Sequence, residues 1–141
     1  MSTEDLASYE DRQRFAEAVA REAGRLAFDY FNRRSTLVIE MKRDPQDVVS
    51  IADRNVETLI REKIGERFPG DGILGEEYGL ADATSGFTWV IDPIDGTSPF
   101  VNGMPTWCVS IALLHRGEPV VGVIYAPCQD ELFSAALGRG A

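Results

Sequence analysis

The residues of this chain best suited to chemistry follow one another in a single stretch, Trp89-Val90-Ile91-Asp92-Pro93-Ile94-Asp95-Gly96-Thr97. Its apolar start reads as a buried strand, and its end supplies two carboxylates, a glycine and a hydroxyl. Pro93 fixes its own φ at about −65° and biases Asp92 to extended backbone, which makes the turn stiff. Two carboxylates held this close repel each other unless a proton or a cation sits between them. Mg²⁺ is the natural counterion, a hard ion usually held by one or two carboxylates with phosphate oxygens and water, and the Ile94 carbonyl lies between the two acids. Gly96 lets backbone approach a ligand closely. Thr97 can cap a following helix whose free N–H groups suit a phosphate. The plainer alternative is that Asp-Gly after a strand is only a turn, and Asp-Pro only its start. On these residues alone both readings stand.

The elements that must position this stretch can be read from periodicity. Residues from about Glu10 to Phe31 predict a long amphipathic helix with Phe15, Val19, Ala23, Leu26 and Tyr30 on its core face. Asn32 to Ser35 end it, and Thr36 to Lys42 reads as a strand. A second helix is predicted from Ile51 to Phe68, with the stripe Ala52, Val56, Leu59, Ile60, Ile64 and Phe68. Ser50 and Asp53 have the spacing of a capping box, so a cap is a sufficient structural account of Asp53. Pro69-Gly70 stops that helix. Gly72 to Gly79 then reads as a short strand with the acidic pair Glu76-Glu77 at its end, Leu80 to Gly86 as a loop, and Phe87 to Ile91 as a strand ending in Asp92. Neighbouring strands lie about 4.8 Å apart, so Glu76, Asp92 and Asp95 can reach one sheet edge and share a cation. Thr106–His115 and Pro119–Ala126 read as a hairpin, and a strand follows near Glu131 to Ala135. Helices first and strands afterwards indicate an α+β domain, two N-terminal helices packed on a mostly antiparallel sheet.

Composition bounds the alternatives. With 141 residues and 44% hydrophobic content the chain fits one domain of ordinary size. No apolar run approaches the about 20 residues of a membrane span, and the acidic N-terminus is unlike a signal peptide, so the chain reads as soluble and cytoplasmic. A net charge of −9 leaves no basic stripe for nucleic acid. That charge serves solubility and is compatible with collecting cations. Cys108 and Cys128 lie in apolar strand-like surroundings without Cys-x-x-Cys spacing and read as buried free thiols rather than a disulfide. The single histidine, His115, reads as a strand-end surface residue. There is no Cys-x₅-Arg thiolate site and no placed histidine nucleophile.

Taken together, Gly75-Glu76-Glu77, the stretch Trp89 to Thr97 and the upstream Asp47-Val48-Val49-Ser50-Ile51-Ala52-Asp53 resemble the inositol monophosphatase family of Mg²⁺-dependent, Li⁺-sensitive sugar phosphatases. The resemblance runs from the first helix to Ala141 and implies the first half of that layered α/β fold. It implies that Glu76, Asp92 and the Ile94 carbonyl hold one Mg²⁺, that Asp92 bridges to a second also bound by Asp95, and that Asp53 and Thr97 are catalytic by orienting the attacking water. Glu76, Ile94, Asp95, Gly96 and Thr97 would meet the substrate, with Gly96 and Thr97 as the phosphate-binding turn. Lys42 falls where the family often carries a basic residue.

The implied activity is hydrolysis of a small sugar or polyol phosphate, as in inositol-1-monophosphatase, with histidinol-phosphatase, fructose-bisphosphatase and 3′(2′),5′-bisphosphate nucleotidase as alternatives within the class. The family fold continues for about as long again, supplying another metal-binding aspartate and most of the groups that grip the substrate's organic part. Residues 1–141 therefore read as its N-terminal metal-binding portion, or as a truncated relative that binds metal or phosphate with little or no activity. For the full-length protein the resemblance implies a homodimer.

Overall fold

The first helix, α1, runs from Thr3 to Met41 in the computed structural model, which describes Met1–Ala141. Ser2 and Asp5 close a reciprocal capping box at its start, each side chain bonding the other's amide. The face laid on the sheet is built from small residues, Ala16, Ala20, Ala23, Gly24 and Ala27 beside Val19. That lets helix and sheet approach closely: a Cβ on Gly24 would stand 2.4 Å from the Tyr125 ring. Phe15, Leu26 and Tyr30 pack on the flanks of this stripe, partly buried.

The strand expected over Thr36 to Lys42 is not formed. α1 continues through it to a left-handed cap at Lys42, and of that stretch only Leu37 is buried. An established helix extends at one hydrogen bond per residue, whereas β-branched side chains oppose it by only some tenths of a kcal/mol each. The second helix, α2, spans Pro45–Arg67, and its start also differs from expectation. Asp44 is the cap, accepting the Asp47 amide at 2.9 Å, and Pro45 occupies the first turn. Ser50 and Asp53 therefore lie inside the helix, and Asp53 caps nothing.

Six strands form one sheet: β1 (Gly72–Gly75), β2 (Gly79–Ala81), β3 (Phe87–Asp95), β4 (Cys108–His115), β5 (Glu118–Ala126) and β6 (Glu131–Ala136). Their order is β2-β1-β3-β4-β5-β6, antiparallel throughout except for the parallel pair β1/β3. The expected hairpin is β4/β5, turning at Arg116-Gly117, both at positive φ. The single strand expected over Gly72 to Gly79 is broken by a turn at residues 76–78, and β2 starts at Gly79 and runs into the expected loop. A five-residue helix, α3 (Thr97–Val101), follows β3. The architecture is the expected α+β one, with both helices on one face of the sheet.

Trp89, Ile91, Val109, Ile111, Leu113, Val121, Val123 and Tyr125 alternate inward beneath the helices. The opposite face leaves Leu74, Ile124 and Phe133 exposed. No helix is long and apolar enough to cross a membrane. Both cysteines are free and half-buried, with Cys128 in the turn after β5 rather than in a strand. His115 ends β4 half-buried: it stacks on Phe87 at 4.2 Å, and its Nδ1 lies 2.7 Å from the Tyr9 hydroxyl.

Two clusters brace β3 at its two ends. Buried Asp71, just before β1, receives a bidentate bond from Arg12 and further bonds from Ser85 and the Trp89 indole. The Arg12 guanidinium in turn lies over the rings of Phe68 and Phe87, at 4.3 and 3.8 Å. At the other end Phe31, Phe100 and Trp107 meet at centroid distances of 5.0 to 5.4 Å, which ties α3 to α1. Such aromatic pairs contribute about 0.5–1.5 kcal/mol each beyond the area they bury.

Candidate metal centre

Parallel pairing brings the first two acids together. Gly75, the last residue of β1, is in register with Ile91, so Glu76 and Asp92 leave the same edge of the sheet as neighbours. Asp95 comes from an irregularity in β3: Asp92 pairs with Ser110 and Asp95 with Cys108, three steps along one strand against two along the other. That extra residue is the signature of a bulge, which re-aims side chains at a strand end. Buried Ile94 anchors the bulge in the core, and Asp95 is left exposed. Gly96 follows at φ 101°, and a Cβ there would lie 3.1 Å from the Trp107 backbone, so the turn requires glycine. Gly96 also stands at the start of α3, which has no side-chain cap. Thr97 is the first helical residue and does not cap it.

Asp53 approaches from α2. Burial, together with the nearby charges of Glu77, Asp92, Glu76 and Glu57, pushes its carboxyl up to about 7. Asp92 is pushed up to about 6 by burial first, then by Glu76 and Asp95, against the opposing effect of the Ile94 amide. The structure thus brings Asp53, Glu76, Asp92 and Asp95 into one electrostatic neighbourhood. None of the four, nor Glu77, is ion-paired. Asp53 and Thr97 share no hydrogen bond. Lys42 is exposed at the end of α1 and pairs with none of these acids.

A set of oxygen donors carrying uncompensated negative charge suits a hard divalent cation. The acids do not, as they stand, converge into a closed set of three ligands. Glu76, Asp92, the Ile94 carbonyl and Asp95 are the groups that could hold such an ion.

Sequence reasoning passed over Glu57. Its side chain is fully buried, accepting the Glu77 amide at 3.1 Å, the Tyr78 amide at 3.0 Å and the Arg61 guanidinium at 2.9 Å. Its signal was an acid on the apolar stripe between Val56 and Ile60, with an arginine four residues on. Gly75 is explained by it too, since a Cβ there would stand 2.6 Å from the Glu57 carboxyl carbon.

The model of the inositol monophosphatase family matches residues 8–141. Over 123 residues the chain is 47% identical to a histidinol-phosphatase of Chlorobaculum parvum, covering 87% of this chain and 47% of that protein. It is 42% identical over 123 residues to an inositol-1-monophosphatase of Mesorhizobium japonicum, covering 86% and 46%. The solved structure of inositol monophosphatase from Anabaena matches with a TM-score of 0.76 at 35% identity, over 92% of this chain and 45% of that one. The chain spans about half the length of the relatives it matches.

Proposed function

The chain belongs to the inositol monophosphatase family, and from that premise we propose that residues 1–141 are the N-terminal, metal-binding portion of a Mg²⁺-dependent phosphomonoesterase. The observation that carries the reading is the set of unpaired carboxylates Asp53, Glu76, Asp92 and Asp95, gathered where β1 ends beside the last residues of β3. Burial first, and neighbouring carboxylates after it, push the Asp53 and Asp92 carboxyls up to about 7 and about 6, as a fully solvated acidic surface would not.

Glu76, Asp92, the Ile94 carbonyl and Asp95 would hold two or more Mg²⁺, whose chemistry when bound is to make a water nucleophilic near neutral pH and to offset charge on the leaving oxygen. Asp53, half-buried on a rigid helix, accepts a hydrogen bond from the attacking water and aims it. The Thr97 hydroxyl takes the second position on that water. Gly96, seated against the Trp107 backbone at positive φ, sets the turn from Asp95 into Thr97 at which the phosphate would be received. Pro93 and buried Ile94 keep the two aspartates from relaxing apart.

The substrate is a small phosphorylated polyol or sugar, with inositol 1-phosphate as the first reading and a homodimer as the assembly of the full-length protein. The 47% identity to a histidinol-phosphatase favours histidinol phosphate as the second reading. Steady-state assays of the full-length protein with Mg²⁺ against both esters decide between them. Turnover of neither, in a folded preparation that binds Mg²⁺, would overturn the phosphatase reading and leave a metal-binding relative.

A further inference from the structure

The turn that carries Glu76 closes the short β1/β2 hairpin, with Gly75 paired to Gly79 across it and residues 76–78 outside the ladder. Glu57, from α2, grips the main chain of that turn from beneath. One carboxylate oxygen accepts the Glu77 amide and the other the Tyr78 amide. Arg61 completes the arrangement: its Nε bonds the same carboxylate, and a terminal nitrogen bonds the Gly79 carbonyl at the far end of the turn. A buried carboxylate without such partners would be strongly unfavourable, and removing any one of them uncovers charge in a dry site. The turn is therefore free to move only if a buried ion pair opens. Gly75 contributes by having no Cβ where Glu57 sits.

We propose that Glu57, braced by Arg61, is a positioning residue for the metal centre: it fixes the turn beyond β1 so that Glu76 is presented beside Asp92. Glu57 binds no cation itself, since its oxygens are already engaged by two amides and a guanidinium. It acts from the helix that also carries Asp53, one turn earlier, so a single rigid element sets the places of the water-orienting acid and of the Glu76 ligand. This inference rests on the metal-binding reading above.

The test is Mg²⁺ titration by calorimetry of the wild-type chain, Glu57→Gln and Glu57→Asp, with Asp71→Asn as a control at an equally buried carboxylate away from the centre. Glu57→Gln should weaken Mg²⁺ affinity about 10–100-fold, the usual effect of losing a partner that orients a ligand. Asp71→Asn should lower the melting temperature and leave affinity within twofold. Glu57→Asp keeps the charge but is too short to reach both amides, and should fall between. Wild-type affinity retained in folded Glu57→Gln overturns the positioning role alone. No binding by the wild-type chain overturns the metal-binding reading and this inference with it.

Should the variants fail to fold, hydrogen exchange on the wild-type chain decides. The Glu77 and Tyr78 amides should be protected although both residues are exposed, and exchange at the rate of an open turn would refute the clamp.

Discussion

Glu76 and Asp92 are neighbours because β1 and β3 run in the same direction, the one parallel pair in an otherwise antiparallel sheet. Had those strands been antiparallel, the two acids would have left opposite edges. On the proposed metal-binding reading, that adjacency predicts divalent cation binding. In the 141-residue chain millimolar Mg²⁺ should raise the melting temperature by mass action, about 2.7 kcal/mol of stabilisation at a concentration one hundred times the dissociation constant. Asp92→Asn should weaken binding more than Glu77→Gln, because Asp92 is read as the bridge and Glu77 only as a neighbour. Calorimetry showing no heat and no stabilisation would rule out an intact site in this chain.

Without metal, stability should fall as pH rises. Asp53 and Asp92 are pushed up to about 7 and about 6 in the fold, above the ordinary 3.8. The native state then holds more protons than the unfolded chain between those values and the ordinary one. That contribution is fully present below about pH 4 and is lost as pH rises through about 6 and then about 7. Thermal melts from about pH 5 to about pH 8 in chelator should decline, more gently for Asp53→Asn and Asp92→Asn. Added Mg²⁺ should restore the alkaline end. A flat metal-free profile in the wild-type chain would contradict the crowding of these acids.

Asp53 lies inside α2, so its loss cannot act through a helix cap. In the full-length protein Asp53→Asn and Thr97→Ala should cut kcat strongly and leave Mg²⁺ affinity nearly unchanged. Asp53→Ser should do the same, at a helix-propensity change of only about 0.5 kcal/mol. Near-normal turnover of inositol 1-phosphate and histidinol phosphate by Asp53→Ser would remove Asp53 from catalysis.

Gly24→Ala should be destabilising although alanine favours helix, because its Cβ would meet the Tyr125 ring at 2.4 Å. Overpacking of this kind costs about 1–3 kcal/mol. Denaturant titration should show a lower midpoint with an unchanged slope. A Gly24→Ala variant as stable as wild type would mean that α1 rides higher on β5 than described.

What was legible in the sequence was what sits in contiguous stretches: the acids after β1 and at the end of β3, the glycine that must follow them, and the apolar stripes of both helices. Glu57 was not, because its partners are main-chain amides twenty residues on, and an amide leaves no mark on residue type. Thr36 to Lys42 was misread because its β-branched residues were weighed alone, without the helix already running into them. Asp53 looked like a cap because Ser50 has the right spacing, whereas Asp44 followed by Pro45 is the stronger start. Strand β2 is three residues with two of them exposed, too short to show a period. His115 sits at a strand end, as expected, but Tyr9 from α1 covers it, a contact between residues 106 positions apart.

Because Glu57 grips main-chain amides, the side chains at 77 and 78 are free of the task of shaping the turn that bears Glu76. Substitution at those two positions would change the charge and bulk at the rim of the centre without removing the amides that Glu57 holds. Only Gly75 must remain small. The clamp separates what the rim presents from where Glu76 stands, and leaves the rim open to change.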